Sequence, residues 1–198
     1  MSRPAGTAPV TVNPPERFAL VARAPHAVRL LYATRRAWYR LRYRRLTLGA
    51  GVQIRGRIRL RRGVSVTIGD RCRINKHVRF AGTGRITIGP DTLLNGGWIG
   101  CWSTVTVGAR CLLSDCEVVD NDFHHVDPVR RHDPPDASTR APITIGDNVW
   151  IGSNALVLKG VSLADDSVVG AACVVRADVP AGCVVIGNPQ QVVRRFDA

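Results

Sequence analysis

Apolar residues recur every six positions, without interruption, at Ile145, Ile151, Val157, Leu163, Val169 and Val175. Neither the 3.6-residue period of an α-helix nor the two-residue alternation of a strand produces that spacing. Small residues often follow, as at Gly146, Gly152, Ala164 and Gly170. A second set, Val149, Ala155, Val161, Ser167, Cys173 and Val179, sits four places on from each lead position. The same register runs through the earlier chain as Leu48, Ile54 and Leu60, then Ile68, Ile74 and Phe80, then Ile88, Leu94 and Gly100, then Val107, Leu113 and Val119. Extra residues fall after every third unit, near Val66-Thr67, Ile86-Thr87 and Thr106, and so does a long excursion from Asp120 to Thr144. Grouping in threes implies a mainly β protein, a parallel β-helix of about six triangular coils whose insertions leave from one corner.

Each short strand then pairs with its equivalent one coil on, about 4.8 Å away, and the apolar positions stack down a narrow interior. The composition fits such a core: Gly reaches 19, Met occurs once and aromatic residues make up 6% of 198. Cys72, Cys111 and Cys173 fall on the second inward position of their units, where a thiol packs as a small apolar group. All six cysteines are expected as thiols rather than a disulfide framework.

Net positive charge is confined to one end. Residues 1–62 carry 15 of the 28 basic residues and a single acid, Glu16, leaving 13 basic and 14 acidic residues for the remainder. No zinc-finger spacing, RNP-like motif or helix-turn-helix pattern accompanies that charge, so nucleic acid is not the expected partner. Residues 27–46 read as a basic helix with a broad stripe of Val28, Leu31, Tyr32, Trp38, Tyr39, Tyr43 and Leu46. Such a helix suits an anionic membrane surface or a phosphate-bearing acceptor, and equally a cap over the open end of the β-helix. Residues 1–15, rich in Pro, Ala and Thr, are expected to be disordered. No run of about 18 apolar residues occurs, and no secretory h-region with its cleavage site, so the expected compartment is cytoplasmic, with peripheral contact at the inner face of a membrane open. The expected division is an arm and helix over 1–47, a β-helix over 48–187 carrying the loop 120–144, and a tail over 188–198.

The stretch from Ile143 to Arg194, "ITIGDNVWIGSNALVLKGVSLADDSVVGAACVVRADVPAGCVVIGNPQQVVR", together with the loop Asp120-Asn121-Asp122-Phe123-His124-His125-Val126-Asp127-Pro128, resembles the hexapeptide-repeat acyltransferases, a family that includes maltose and galactoside O-acetyltransferases. The resemblance covers residues 48–195. It implies a left-handed coil, against the usual crossover rule, a homotrimer and acetyl-CoA as acyl donor without a metal.

It also implies roles. His124 takes the catalytic position, as a general base that removes the proton of an acceptor hydroxyl while its oxygen attacks the thioester. His125 stands where relatives often have Pro and receives no role. The amide of Ser153 is the candidate oxyanion donor. Asn95 and Asp122 are assigned to the acceptor, although the turn after Asn95 is one residue shorter than in relatives. Trp150, Ser153 and Ala171 match positions along the CoA groove, with Arg194, Arg195 and Arg176 as cations for its phosphates.

The expected activity is acyl-CoA-dependent O-acyl transfer, acetyl foremost, to a hydroxyl of a saccharide or glycosylated acceptor. N-acetyl transfer to an amino sugar or xenobiotic is the second reading. A γ-carbonic anhydrase needs coil-related histidines, and His26, His77, His124, His125 and His132 lack the His-x4-His pair. A non-catalytic scaffold needs neither the histidine loop nor the "NVWIGSN" segment.

Overall fold

The structure, a computed structural model, describes residues 26–196. The expected disorder of residues 1–15 lies outside them. One helix, α1 (His26–Arg42), precedes a parallel β-solenoid of about seven turns, the last of them partial.

Three faces build the solenoid. The first stacks β1 (Leu46–Leu48), β4 (Ser65–Ile68), β7 (Arg85–Ile88), β9 (Thr104–Val107), β11 (Ile143–Ile145) and β14 (Ser162–Leu163). On the second lie β2 (Gln53–Ile54), β5 (Arg73–Ile74), the start of β8 (Leu93–Cys101), the start of β10 (Leu112–Val119), β12 (Trp150–Ile151), β15 (Val168–Val169) and β17 (Cys183–Ile186). The third holds β3 (Arg57–Arg62), β6 (His77–Gly82), the ends of β8 and β10, β13 (Leu156–Val157) and β16 (Val174–Val175). β18 (Gln191–Arg195) returns antiparallel on β17 and ends the stack.

The six-residue period maps onto these faces as ladders. Leu48, Ile68, Ile88, Val107, Ile145 and Leu163 pair in succession down the first face. Ile54, Ile74, Leu94, Leu113, Ile151, Val169 and Val185 do so down the second. All of these are buried, and burying each side chain of this size stabilises the fold by roughly 1.5–3 kcal/mol.

The third face departs from the expected register. Its ladder runs Leu60, Phe80, Ile99, Val118, Val157 and Val175, so Ile99 and Val118 stand where the six-residue count places Gly100 and Val119. The cause is a corner one residue shorter in each of two successive coils, turned by Gly96 (φ +98°) and Gly97 (φ +111°) after Asn95 and by Asp115 (φ +42°) after Ser114. Shifting a strand by one residue exchanges its faces, and the shorter corner is what keeps Ile99 and Val118 inward. A Cβ at Gly96 would lie 2.0 Å from Asp115 Oδ1, so the tight turn also needs a residue without one.

Between the first and second faces runs a second interior column: Val52, Cys72, Thr92, Cys111, Val149, Ser167 and Cys183, all buried. Cys72 Sγ donates to Gly89 O and Cys111 Sγ to Gly146 O, both at 3.1 Å, while Thr92 Oγ1 donates to Gly108 O and accepts from Cys111 N. All six cysteines are free and buried. Burial pushes the thiols of Cys72 and Cys111 up to about 11, which suits a structural role.

The helix closes the N-terminal end. Carbonyl groups at the turns of the first coil have no preceding coil to pair with, and arginines reach them. Arg35 donates to Gly56 O (2.6 Å), Arg36 to Val52 O (3.1 Å), Arg45 to Gly63 O (2.7 Å), and Arg40 to Leu48 O. The Tyr39 hydroxyl accepts from Ile58 N at 3.1 Å. The expected apolar stripe is therefore split: Tyr39 is buried and Tyr43 packs on the core, whereas Leu31 and Trp38 stay exposed and Leu46 already belongs to β1.

Ser167 is the weak rung of the interior column, since its hydroxyl is buried with no hydrogen-bond partner. Ser167→Ala removes that unmet group, and urea unfolding is expected to show a gain of about 1 kcal/mol. A loss of stability would mean that the hydroxyl has a partner.

Candidate active site

The excursion that carries His124 is rooted by a buried carboxylate. Asp120 Oδ1 accepts from Trp102 N and Asp120 Oδ2 from Ser103 N, each at 2.7 Å, and its side chain is fully buried. Above it the two limbs of the loop pair with each other. Asn121 bridges Arg140 in antiparallel fashion, Asp122 N donates to Thr139 O (2.8 Å), and Ala141 N donates to Asp120 O (3.0 Å).

Phe123 then takes a left-handed conformation (φ +68°), held by a 2.6 Å bond from its amide to Asn121 Oδ1. Its ring stacks on Trp98 at 6.2 Å and meets Trp102 edge-on at 4.9 Å. An aromatic clamp of this kind fixes the ring by area and geometry together. The next residue, His124, is thereby held out from the solenoid. It is exposed, and no hydrogen bond or ion pair engages its imidazole among the described residues.

The two histidines have opposite surroundings. His125 is buried, 3.3 Å from Pro134 O and 3.4 Å from an Arg130 guanidinium nitrogen, and it belongs to the packing of the loop. Arg130 in turn binds Asp136 at 2.6 Å, and Asp136 also accepts from Ser138 N and Oγ. The Ser138 hydrogen bond, followed by Arg130, holds the Asp136 carboxyl well below the usual carboxylate range. The loop is internally bonded rather than free.

Asp122, His124, His125, Asp127, Arg130 and Lys159 border a recess of ≈ 230 Å³ at the corner between the third and first faces. Lys159 was not foreseen as a site residue. Its ammonium lies 2.6 Å from Asp122 Oδ2 and 3.0 Å from Ser138 O, stapling the loop to the coil below. The signal available was its place, at the corner one coil on from the loop's exit. Asp122, assigned to the acceptor, has this lysine as its partner.

The other candidates gather at a different corner, between the second and third faces. Asn95 pairs in register with Ser114, and the paired Leu113 and Ile151 set Gly152 and Ser153 one coil further on. Asn75, which the sequence did not single out, follows Ile74 in the pair that stacks on Leu94, and its Oδ1 is buried without a partner. Ser153 is exposed; its carbonyl accepts from Ala172 N (2.9 Å), and its amide donates no hydrogen bond among the described residues. Coils pack closely here, because a Cβ on Gly152 would sit 2.7 Å from Ala171 N.

Trp150 stands on the outward side of the second face, 51% exposed, in an apolar row with Leu93, Leu112, Val168 and Val184. The wall beside Ser153 and Ala171 is thus hydrophobic.

The three cations differ. Arg176 is tied down, its guanidinium 2.9 Å from Asn188 Oδ1 and its amide 2.6 Å from Gln190 Oε1. Arg195 turns toward Cys183 Sγ at 3.3 Å. Arg194 lies over the Phe196 ring at 4.9 Å and forms no ion pair among the described residues. Within one chain, His124 and Asp122 occupy one corner of the prism, and Asn95, Trp150, Ser153 and Ala171 occupy another. No cluster of three or more metal-ligating side chains occurs among the described residues.

The hexapeptide repeat of succinyl-transferase matches residues 142–177. The chain is 30% identical over 139 residues to the Escherichia coli K12 protein WbbJ, named for O-acetyl transfer in lipopolysaccharide biosynthesis, covering 69% of this chain and 63% of that protein. It is 37% identical over 94 residues to galactoside O-acetyltransferase of the same organism, covering 48% of this chain and 45% of that enzyme. The chain therefore spans about half to under two thirds of the length of these curated relatives. Among solved structures, a galactoside acetyltransferase in complex with coenzyme A superposes with a TM-score of 0.51 at 26% identity, over 77% of this chain and 66% of that one. Repeat, solenoid and relatives agree: the chain carries the hexapeptide repeat on a parallel β-solenoid and is similar to proteins named as acetyltransferases.

Proposed function

We propose that the protein is an acyl-CoA-dependent O-acyltransferase, moving an acetyl group to a hydroxyl of a saccharide or glycosylated acceptor. The observation that carries this reading is the contrast between the two histidines: His125 is consumed by packing, while His124 is held out by an anchored loop with its imidazole uncommitted. The relatives named for O-acetyl transfer to galactoside and in lipopolysaccharide biosynthesis support a saccharide hydroxyl as acceptor, and the coenzyme A complex supports the donor.

In this mechanism His124 takes the hydroxyl proton as the acceptor oxygen bonds to the thioester carbon. The carbonyl oxygen becomes an oxyanion, and the amide of Ser153, which donates no hydrogen bond among the described residues, serves as its donor. Collapse breaks the carbon–sulfur bond, and the departing thiolate regains a proton from the imidazolium. Trp150 and Ala171 supply apolar wall for the pantetheine arm, Arg194 supplies charge for a phosphate, and Asn95 contributes on the acceptor side. Arg176 and Arg195 are already partnered and serve less well. Because His124 and Ser153 sit at different corners of one prism, the reading requires a second copy, and a homotrimer of cyclic symmetry supplies each site with both. The proposed place of work is the cytoplasmic side of a membrane.

His124→Ala is expected to lower acetyl transfer by at least about a hundredfold while leaving thermal unfolding and CoA binding nearly unchanged. Transfer assays against a panel of saccharides and amino sugars read this directly, and normal turnover in the variant sinks the mechanism. His125→Ala should cost less turnover and more stability; the reverse order would exchange the two roles.

Arg194→Ala is expected to raise the acetyl-CoA Michaelis constant by about tenfold with little change in kcat, since a phosphate contact is common to ground and transition states. With a dephospho-CoA donor the variant and the unaltered enzyme should converge. A rise of equal size with that donor would show that Arg194 does not read the 3′-phosphate.

A further inference from the structure

The basic residues of the N-terminal region divide into two populations. Arg35, Arg36, Arg40 and Arg45 are spent on first-coil carbonyls and act as a cap. A second set lies on the outward side of the third face. Arg57 pairs with His77 and Arg59 with Arg79 across β3 and β6, so guanidinium groups repeat along β3 at Arg57, Arg59 and Arg61, and Arg79 continues the row into the next coil. Arg57, Arg59, Arg61, His77 and Arg79 are all exposed, and none has an ion-pair partner among the described residues. Their mutual repulsion is felt locally, since desolvation first, and then Arg59, Arg79 and Arg57, hold the pKa of His77 below its ordinary value. Like charges placed this close destabilise the isolated fold unless something anionic meets them.

Beside this ladder lies apolar surface that the cap leaves uncovered. A groove of ≈ 440 Å³ joins the two, lined by Arg35, Trp38, Tyr43, Arg57, Ile58 and Arg59. From Trp38, 56% exposed, the outward side of α1 continues one way to Leu31, two turns back, and the other way to Leu41, 85% exposed. A soluble polyanion would match the cations but has no use for exposed leucine and tryptophan. Anionic lipid uses both, with headgroup phosphates on the arginines and acyl chains against the apolar side chains.

We infer that Arg57, Arg59 and Arg79 of the solenoid and Leu31, Trp38 and Leu41 of α1 form one docking surface for an anionic phospholipid membrane. The inference deepens the membrane placement proposed above and is independent of the chemistry at His124. Membrane contact is thereby assigned to a rigid β-face together with the helix, and the capping arginines are excluded from it.

Co-sedimentation of the full chain tests this, with vesicles of phosphatidylcholine alone and of phosphatidylcholine mixed with phosphatidylglycerol, at low and high salt. The unaltered protein should bind the mixed vesicles, more weakly at high salt, and leave neutral ones largely in solution. Arg57→Gln/Arg59→Gln/Arg79→Gln should reduce binding about a hundredfold at low salt, several-fold for each cation near the surface. Leu31→Asn/Leu41→Asn should reduce it about tenfold through the lost apolar contact. The arginine variant should melt no lower than the unaltered protein and the leucine variant close to it, and both should keep its activity on a small soluble acceptor. The proposal is overturned if the unaltered protein ignores anionic vesicles, or if the triple variant binds as well as it does. It is also overturned if the leucine variant binds fully while heparin competes, which would make the ladder a polyanion site. Since vesicle binding is read without turnover, failure of acetyl transfer would remove the His124 reading and leave this result standing.

Discussion

Coil-to-coil hydrogen bonding sets the terms for every other part of this molecule. Each turn of the prism must return to its starting corner one strand spacing further on, so the corners tolerate little bulk. That is why the backbone there adopts left-handed conformations at residues such as Asn154 and Ala172, and why a Cβ on Gly152 would run into Ala171. The same closeness lets a row of thiols and hydroxyls serve as interior rungs, each able to meet a carbonyl of the adjoining turn. A stack of this kind has two raw ends. One is capped by arginines from α1, and at the other the antiparallel return of β18 covers β17.

Chemistry is then a matter of what hangs from the corners. The solenoid contributes rigid positions at regular intervals, and the loop 120–144 contributes the long departure from them among the described residues. Asp120 connects the two. With both carboxylate oxygens accepting backbone amides, it ties the exit of the loop to the Trp102-Ser103 turn, and the Phe123 clamp extends that rigidity to the residue before His124.

Much of this could be read from the chain alone, because the fold is a repeat and a repeat writes its geometry into spacing. As far as Leu163 and Val169 the first two ladders follow the six-residue count. The third could not be placed to the residue, since the corners after Asn95 and after Ser114 are each one residue short, and a count that assumes equal units then sets Gly100 and Val119 in place of Ile99 and Val118. For the site, the motif singled out His124 over its neighbour, and the two differ in burial, His124 exposed and His125 buried. Lys159 and Asn75 were missed for a common reason. Their part depends on which residues stack one coil apart, and adjacency across a coil is invisible in sequence unless the corner lengths are known. The helix shows a further limit, because composition cannot separate arginines that end on backbone carbonyls from arginines that end in solvent.

The neck of the loop has a consequence for how such a protein can change. Asn121 and Arg140 close the excursion like a drawstring, with Asp122 and Thr139 forming a second rung just outside it. Everything beyond those rungs can vary in length and side chain without disturbing the pairing of β10 and β11 with their neighbouring coils. Selection can therefore rewrite what the loop touches while the prism keeps its register, and one solenoid can diversify in taste without relearning how to fold.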